Sequence, residues 1–287
     1  MANVLIAGCG YVGAALGALL AGEGHLVRGM RRNPENLPES IQPLRADIHD
    51  RYLSDLLPEG LDYIFYTVAS GGGGEAGYRA AYAQGPKNLI KALDLKGENP
   101  RRIFFTSSTA VYAQTDGRQV DEESPTQPAH YSGRILLEGE RVLLESDHPA
   151  TILRLSGIYG PGRTRLIDSV RAGRAEVQGG PPRFTNRIHR DDCAGALAHL
   201  MKMDAPDEIY VGVDDEPADR RNVLNWLADR LGAPHPREAG AAAEAPSARA
   251  ASNKRCSNAR LKSTGYRFLY PSYREGYAGM IAGLENT

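Results

Sequence analysis

The chain has 287 residues, 41% of them hydrophobic, with 34 basic residues against 35 acidic ones and a formal net charge of −1. A chain of this size can bury a substantial core, and the balanced charge argues against nucleic acid as a main partner. No apolar run approaches the roughly 18 residues of a membrane span, and three cysteines, Cys9, Cys193 and Cys256, are too few and too scattered for a disulfide framework or a zinc site.

Met1-Ala2-Asn3-Val4 enters a strand without the charged and apolar regions of a secretory signal, so a reduced, cytoplasmic setting is expected. Val4 to Ala7 reads as a buried strand, Gly8-Cys9-Gly10-Tyr11-Val12-Gly13 as a tight turn, and Ala14 to Ala21 as a helix. In this G-x-G-x-x-G spacing Gly8 permits the turn, Gly10 lets the backbone approach a pyrophosphate, and Gly13 lets helix and strand pack closely. The N–H groups of the helix start, with Tyr11 and Val12 beside them, would receive the phosphates of a dinucleotide. Taken alone, the glycines also suit a plain βα turn; their setting favours the dinucleotide.

Gly24 to Met30 reads as a second strand. Where an acid would bond the ribose of NAD, the sequence has Arg28, Arg31 and Arg32, and the first acid is Glu35. Arg31 and Arg32 suit the 2′-phosphate of NADP, with NAD kept open and simple solvation of both arginines as the plain alternative. Leu44 to Asp47 suggests a third strand, with Asp47 and Ile48 flanking an adenine or Asp47 capping the segment after it. Tyr63 to Ala69 is a fourth strand, bringing Val68 and Ala69 to the cofactor. It runs into Ser70-Gly71-Gly72-Gly73-Gly74, either a lid over the strand ends or a connector. After a helix over 78–93, Arg102 to Thr106 is a fifth strand, followed by Ser107-Ser108-Thr109-Ala110-Val111-Tyr112. The apolar positions of Tyr131 to Glu138 suit a helix packed on the sheet.

These segments, with Arg154-Leu155-Ser156-Gly157-Ile158-Tyr159-Gly160-Pro161-Gly162 and Arg187-Ile188-His189-Arg190-Asp191-Asp192, resemble the extended short-chain dehydrogenase/reductase superfamily. Within it, the similarity is to the NAD-dependent epimerase/dehydratase family, over roughly residues 3–213. The resemblance implies an α/β fold, a Rossmann-type doubly wound parallel sheet with a small C-terminal substrate lobe. The dinucleotide-binding domain would span 1–160, completed by 185–213, and the lobe 161–184 and 214–287. Ser108 falls where the family orients its substrate by a hydrogen bond. Tyr131 falls where the family has its general base and acid. Ser107 and Tyr131 would also line the cofactor, with Ser156 and Gly157 passing the nicotinamide amide.

A free phenol, with a pKa of about 10, is protonated at neutral pH. The family lowers that value with a lysine one helical turn after the tyrosine, which also holds the nicotinamide ribose. Here that position is Ile135, which brings no charge. Three readings stay open: a cation from Arg134, Lys87 or Arg163; different acid–base chemistry helped by His130 or His189; or binding without turnover.

Downstream, Ile152 to Leu155 reads as a sixth strand, Cys193 to Met203 as a helix opened by Asp191-Asp192, Ile209 to Val213 as a late strand, and Val223 to Leu231 as a helix. Residues 232–252, rich in Ala, Pro, Gly and Glu, read as a flexible segment. Arg163, Arg165, Arg187 and Arg255 are candidates to meet a diphosphate. The expected activity is hydride transfer by an epimerase, dehydratase or reductase, on a nucleotide-sugar or another small carbonyl compound. The rival is a catalytically weak or inactive dinucleotide sensor; an RNA-binding Rossmann protein is disfavoured by the charge balance. No metal and no membrane partner are expected, and the family's habit implies a homodimer through 78–95 and 131–146.

Overall fold

The computed structural model describes residues 1–239 and 252–285, which divide into two compact units. The first comprises Met1–Val111, Gln127–Leu155 and Cys193–Tyr210. Its strands are β1 (Asn3–Ala7), β2 (Leu26–Arg31), β3 (Gln42–Arg45), β4 (Tyr63–Tyr66), β5 (Arg102–Ser108), β6 (Ala150–Leu155) and β7 (Ile209–Gly212). They form a seven-stranded parallel sheet in the order β7-β6-β5-β4-β1-β2-β3. Helices α1 (Tyr11–Gly22), α2 (Gly74–Arg79), α3 (Gly85–Lys96) and α4 (Tyr131–Leu144) belong to the same unit. β1 has no polar side chain after Asn3, and Val4 to Ala7 are fully buried, as a strand covered on both faces requires. The strand order reverses between β1 and β4. Open α/β sheets bind ligands in the crevice beyond the carboxyl ends at such a switch.

Several boundaries differ from the sequence reading. The third strand ends at Arg45, not Asp47, because Asp47 folds into a turn: its Oδ1 accepts from His49 N–H at 2.9 Å and its carbonyl from Asp50 N–H at 2.9 Å. The fourth strand ends at Tyr66, so Val68 and Ala69 lie in the loop beyond it. The helix expected over 78–93 begins at Gly74 and reaches Lys96, interrupted by a π-helical turn at Ala80–Gln84. There the Tyr66 hydroxyl donates to the Ala81 carbonyl at 2.5 Å. A side chain reaching into a helix's hydrogen-bond ladder is a known cause of such irregularity.

The second unit comprises Tyr112–Thr126, Ser156–Asp192 and Val211–Thr287. Its core includes Tyr159, Ile167, Val170, Leu224, Leu227 and Tyr273. Segment 112–126 belongs here because Gln119–Val120 pairs with Arg255–Cys256. Gly157–Tyr159 pairs with Arg187–His189, also in parallel. Asp219 caps the helix Arg220–Leu231, its Oδ1 accepting from Arg221 N–H at 3.1 Å, so the helix begins earlier than the Val223 expected. Asp192 is fully buried and accepts from the Tyr266 hydroxyl at 2.9 Å, Leu269 N–H at 2.7 Å and Tyr270 N–H at 3.0 Å. Of the expected flexible stretch 232–252, residues 240–251 lie outside the described residues. Among the described residues no helix is long and apolar enough to cross a membrane, and all three cysteines are buried and outside any disulfide.

Candidate active site

The glycine loop sits at the switch point. Gly8 has φ +82°, and a Cβ built on it would lie 2.5 Å from both Cα and N of Val68. A Cβ on Gly13 would lie 2.6 Å from Thr67 Oγ1 and 2.9 Å from Ile6 Cγ2, which shows how tightly α1 is pressed on the sheet. On Gly10 the nearest neighbour would be 3.7 Å away, so that side of the loop is open. Gly10 is also the N-cap of α1 and gives it no side-chain hydrogen bond. An uncapped helix start beside an open glycine backbone fits a dinucleotide pyrophosphate.

Thr67 was not legible in the sequence. Its hydroxyl donates to the Gly8 carbonyl at 2.9 Å and its N–H to the Ala7 carbonyl at 2.8 Å, holding the loop from behind. The signal, a hydroxyl residue ending a strand rich in β-branched and aromatic residues, gains meaning only once β4 is known to lie beside β1.

At the end of β2, the Arg31 guanidinium donates to the Cys9 carbonyl at 3.5 Å, which keeps it against the glycine loop. Arg32 is exposed, 3.9 Å from Asp47. Arg45 pairs with Glu35 and donates to the Arg32 carbonyl at 3.2 Å. Val12 and Ile48 are buried, Tyr11 and Val68 half-buried, and Ala69 exposed. Burial pushes the Cys9 thiol up to about 11, so it stays protonated.

Ser108 ends β5 half-buried, its Oγ accepting from Ala110 N–H at 3.2 Å. Tyr131 opens α4, also half-buried, and the first turn of that helix rests on the loop after Ser108. A Cβ on Gly133 would lie 2.5 Å from the Ala110 carbonyl oxygen. The first turn of α4, which Tyr131 opens, therefore lies against the loop that follows Ser108. His130 caps α4: its Nδ1 accepts from Ser132 N–H at 3.3 Å and lies 2.8 Å from Ser132 Oγ. Accepting from a backbone N–H leaves the proton of the neutral ring on Nε2. The His130 ring centroid is 4.1 Å from that of Tyr131, and Tyr78 meets Tyr131 edge-on at 6.0 Å and 82°.

Ile135 is fully buried, so the helix position one turn after Tyr131 carries only apolar packing. Arg134 donates to the Ala129 carbonyl, and Lys87 is exposed on α3. Ser107 is buried, and its hydroxyl is committed to Glu140, itself paired with Arg154.

In the second unit, Ser156 is 7% exposed and its hydroxyl has no hydrogen-bond partner, while its N–H donates to the Gly212 carbonyl at 2.9 Å. Gly157 N–H donates to the Asn186 carbonyl at 3.1 Å. The candidate arginines serve varied ends: Arg163 donates to the Ile158 carbonyl, Arg187 is buried and donates to the Thr185 carbonyl, Arg255 lies 5.2 Å over the Phe184 ring, and Arg165 opens a short helix. His189 is buried, its ring centroid 3.8 Å from that of Tyr270 and tilted by 39°, and burial holds its pKa below the usual range. Asp214 is 1% exposed with Oδ2 unpartnered, and burial pushes its carboxyl up to about 8 against the pull of Arg187. Among the described residues no group of three or more His, Cys, Asp or Glu is disposed to hold a metal ion.

This fold, with an open glycine loop at the switch point of a parallel sheet, is that of a dinucleotide-binding protein of the extended short-chain dehydrogenase/reductase type. Residues 4–212 match the model of the NAD dependent epimerase/dehydratase family, and the chain belongs to that family. It is similar to the 3-diazoavenalumate denitrifying reductase of a Streptomyces species, 28% identical and covering 96% of this chain and 98% of that one. A solved putative NAD-dependent epimerase/dehydratase from Methylobacillus flagellatus is 35% identical, with a TM-score of 0.81 and 99% of each chain covered. MoeE5, solved with UDP-glucose and NAD, shares the fold at 23% identity and a TM-score of 0.80, again covering 99% of each chain.

Proposed function

We propose that the chain is an NADP-preferring reductase or epimerase in which Ser108 polarises a substrate carbonyl or hydroxyl oxygen and Tyr131 carries its proton. The observation that carries this reading is the seating of Gly133 on Ala110, which sets the first turn of α4, and with it Tyr131, beside the loop of Ser108. The cofactor, when bound, supplies the hydride chemistry. The protein's part is to hold it and to place the oxygen. The open backbone at Gly10 and the uncapped start of α1 would take the pyrophosphate, with Thr67 keeping the loop in shape. Arg31, anchored against the loop, with Arg32 and Arg45 close by in sequence or contact, favours a 2′-phosphate and hence NADP over NAD. A small carbonyl compound or a nucleotide-sugar is the substrate class, by analogy with the Streptomyces reductase and with MoeE5. Three buried cysteines outside any disulfide suit a reducing cytoplasm.

One observation favours a second reading. Ile135 lies in the core where the family's lysine would hold the ribose, so the site would bind the nucleotide and sense it without turnover. Titration with NADPH, followed by fluorescence-monitored oxidation against a panel of carbonyl compounds and nucleotide-sugars, separates the two. Turnover that Tyr131→Phe abolishes supports the enzyme. Tight binding with no turnover across the panel supports the sensor, and no binding at all overturns both.

A further inference from the structure

Ser107, Glu140 and Arg154 form a buried network that the proposed chemistry does not touch. Glu140 lies on α4, the helix that Tyr131 opens, and is 3% exposed; Arg154, on β6, is 4% exposed. Glu140 Oε1 accepts from the Ser107 hydroxyl at 2.5 Å and from Arg154 Nε at 3.1 Å, and Oε2 accepts from the second Arg154 nitrogen at 2.7 Å. One carboxylate therefore joins β5, β6 and α4.

Removing two opposite charges from water carries a desolvation cost that apolar residues of equal volume avoid, so such a pair is a poor source of stability. It is a good source of register. A two-point guanidinium–carboxylate contact fixes distance and angle, whereas apolar packing tolerates sliding. What is held in register here is the strand that ends in Ser108 and the helix that begins with Tyr131. Gly133, resting on the Ala110 carbonyl, fixes the same helix near its start. Ile135 adds to the demand, because no ammonium group at that position gathers the reacting groups.

We propose that Glu140 and Arg154 are positioning residues that set the separation of the Ser108 and Tyr131 hydroxyls. This rests on the reading of Ser108 and Tyr131 as the acid–base pair. Displacements of about 1 Å at reacting groups can cost about 100-fold in rate.

The test uses the full chain and three variants: the double substitution Glu140→Met with Arg154→Leu, and the single substitutions Glu140→Asp and Ser107→Ala. Each is measured for NADPH affinity, for kcat and KM on the panel compound that the parent protein reduces fastest, and for the Tyr131 ¹³Cζ resonance, assigned by its loss in Tyr131→Phe. The double variant is expected to melt within about 5 °C of the parent and to bind NADPH with nearly unchanged affinity. Its kcat should fall about 100-fold at similar KM, and the Tyr131 resonance should move. A folded double variant with unchanged kcat and resonance overturns the proposal. Should it fail to fold, Glu140→Asp and Ser107→Ala decide, since each leaves a carboxylate facing Arg154: a shifted resonance supports positioning, and an unshifted one in both overturns it. Should the parent protein reduce nothing on the panel, the resonance still decides this inference, while the catalytic reading fails separately.

Discussion

The backbone of Val68 occupies the space that a side chain on Gly8 would need, with Cα and N both 2.5 Å from the Cβ position. Because the obstacle is backbone, it cannot rotate aside, and the φ of +82° adds strain of about 1–2 kcal/mol for any residue with a Cβ. Gly8→Ala should therefore destabilise the protein by roughly 2–4 kcal/mol and abolish NADPH binding. Urea unfolding and a fluorescence titration measure both; parental stability in the variant would show that the turn is not built this way.

Arg31 touches the glycine loop through the Cys9 carbonyl and is the leading candidate for the 2′-phosphate. Arg31→Ala should weaken NADPH binding about 10- to 100-fold, the size of one or two charge-assisted hydrogen bonds. NADH binding should change about twofold or less. Equal losses for both cofactors would mean that Arg31 merely braces the loop.

Tyr131→Phe keeps the ring contacts with His130 and Tyr78 and removes only the hydroxyl. Turnover should fall about 10²- to 10⁴-fold, the usual contribution of a positioned acid–base group, with NADPH affinity unchanged. A variant as fast as the parent would remove this tyrosine from the chemistry.

Asp214 gives a signed pH dependence. Its carboxyl is raised from 3.8 to about 8, with burial as the main cause, Arg187 and the hydrogen bond from Glu216 N–H opposing, and the Glu216 and Asp215 charges reinforcing. The folded state thus holds a proton that the unfolded chain releases. The associated stability is fully present below about pH 4 and is lost as pH rises towards 8, at up to about 1.4 kcal/mol per pH unit. Asp214→Asn should remove this slope, so that the variant gains on the parent with rising pH. Parallel unfolding curves for the two proteins between pH 4 and 9 would refute the assignment.

Asp192→Ala would take the acceptor from the N–H groups of Leu269 and Tyr270 and leave the Tyr266 hydroxyl only the backbone carbonyl of residue 192, 3.1 Å away. A loss of about 2–4 kcal/mol is expected, since each donor left unsatisfied costs about 1–3 kcal/mol and two half-buried N–H groups lose a carboxylate acceptor. Asp192→Asn, which keeps one acceptor oxygen, should fall between the alanine variant and the parent. Thermal melts order the three.

Local chemistry was readable from the chain, and long-range pairing was not. The glycine loop declares itself because strand, turn and helix are consecutive, whereas Ser108 and Tyr131 stand out only through the family resemblance. Thr67 was missed because its partner, the Gly8 carbonyl, comes from another strand. Nothing in the sequence sets Glu140 apart from the other charges of its helix; only the neighbourhood of β5 and β6 shows that it is buried against Arg154. Gln119–Val120 is too short to signal a strand, and its partner Arg255–Cys256 lies far along the chain. Asp47 was read as a strand end because turn-forming hydrogen bonds leave no periodicity.

The π-helical turn at Ala80–Gln84 sets the rotational phase of what precedes it. Each residue in a helix advances the chain about 100° around the axis. Deleting one residue there would let the segment become regular, yet it would swing Tyr78 away from the Tyr131 ring and Arg79 away from Glu138. The irregularity is a clocking device: it spends one residue of helix length to aim an aromatic edge and a guanidinium at α4.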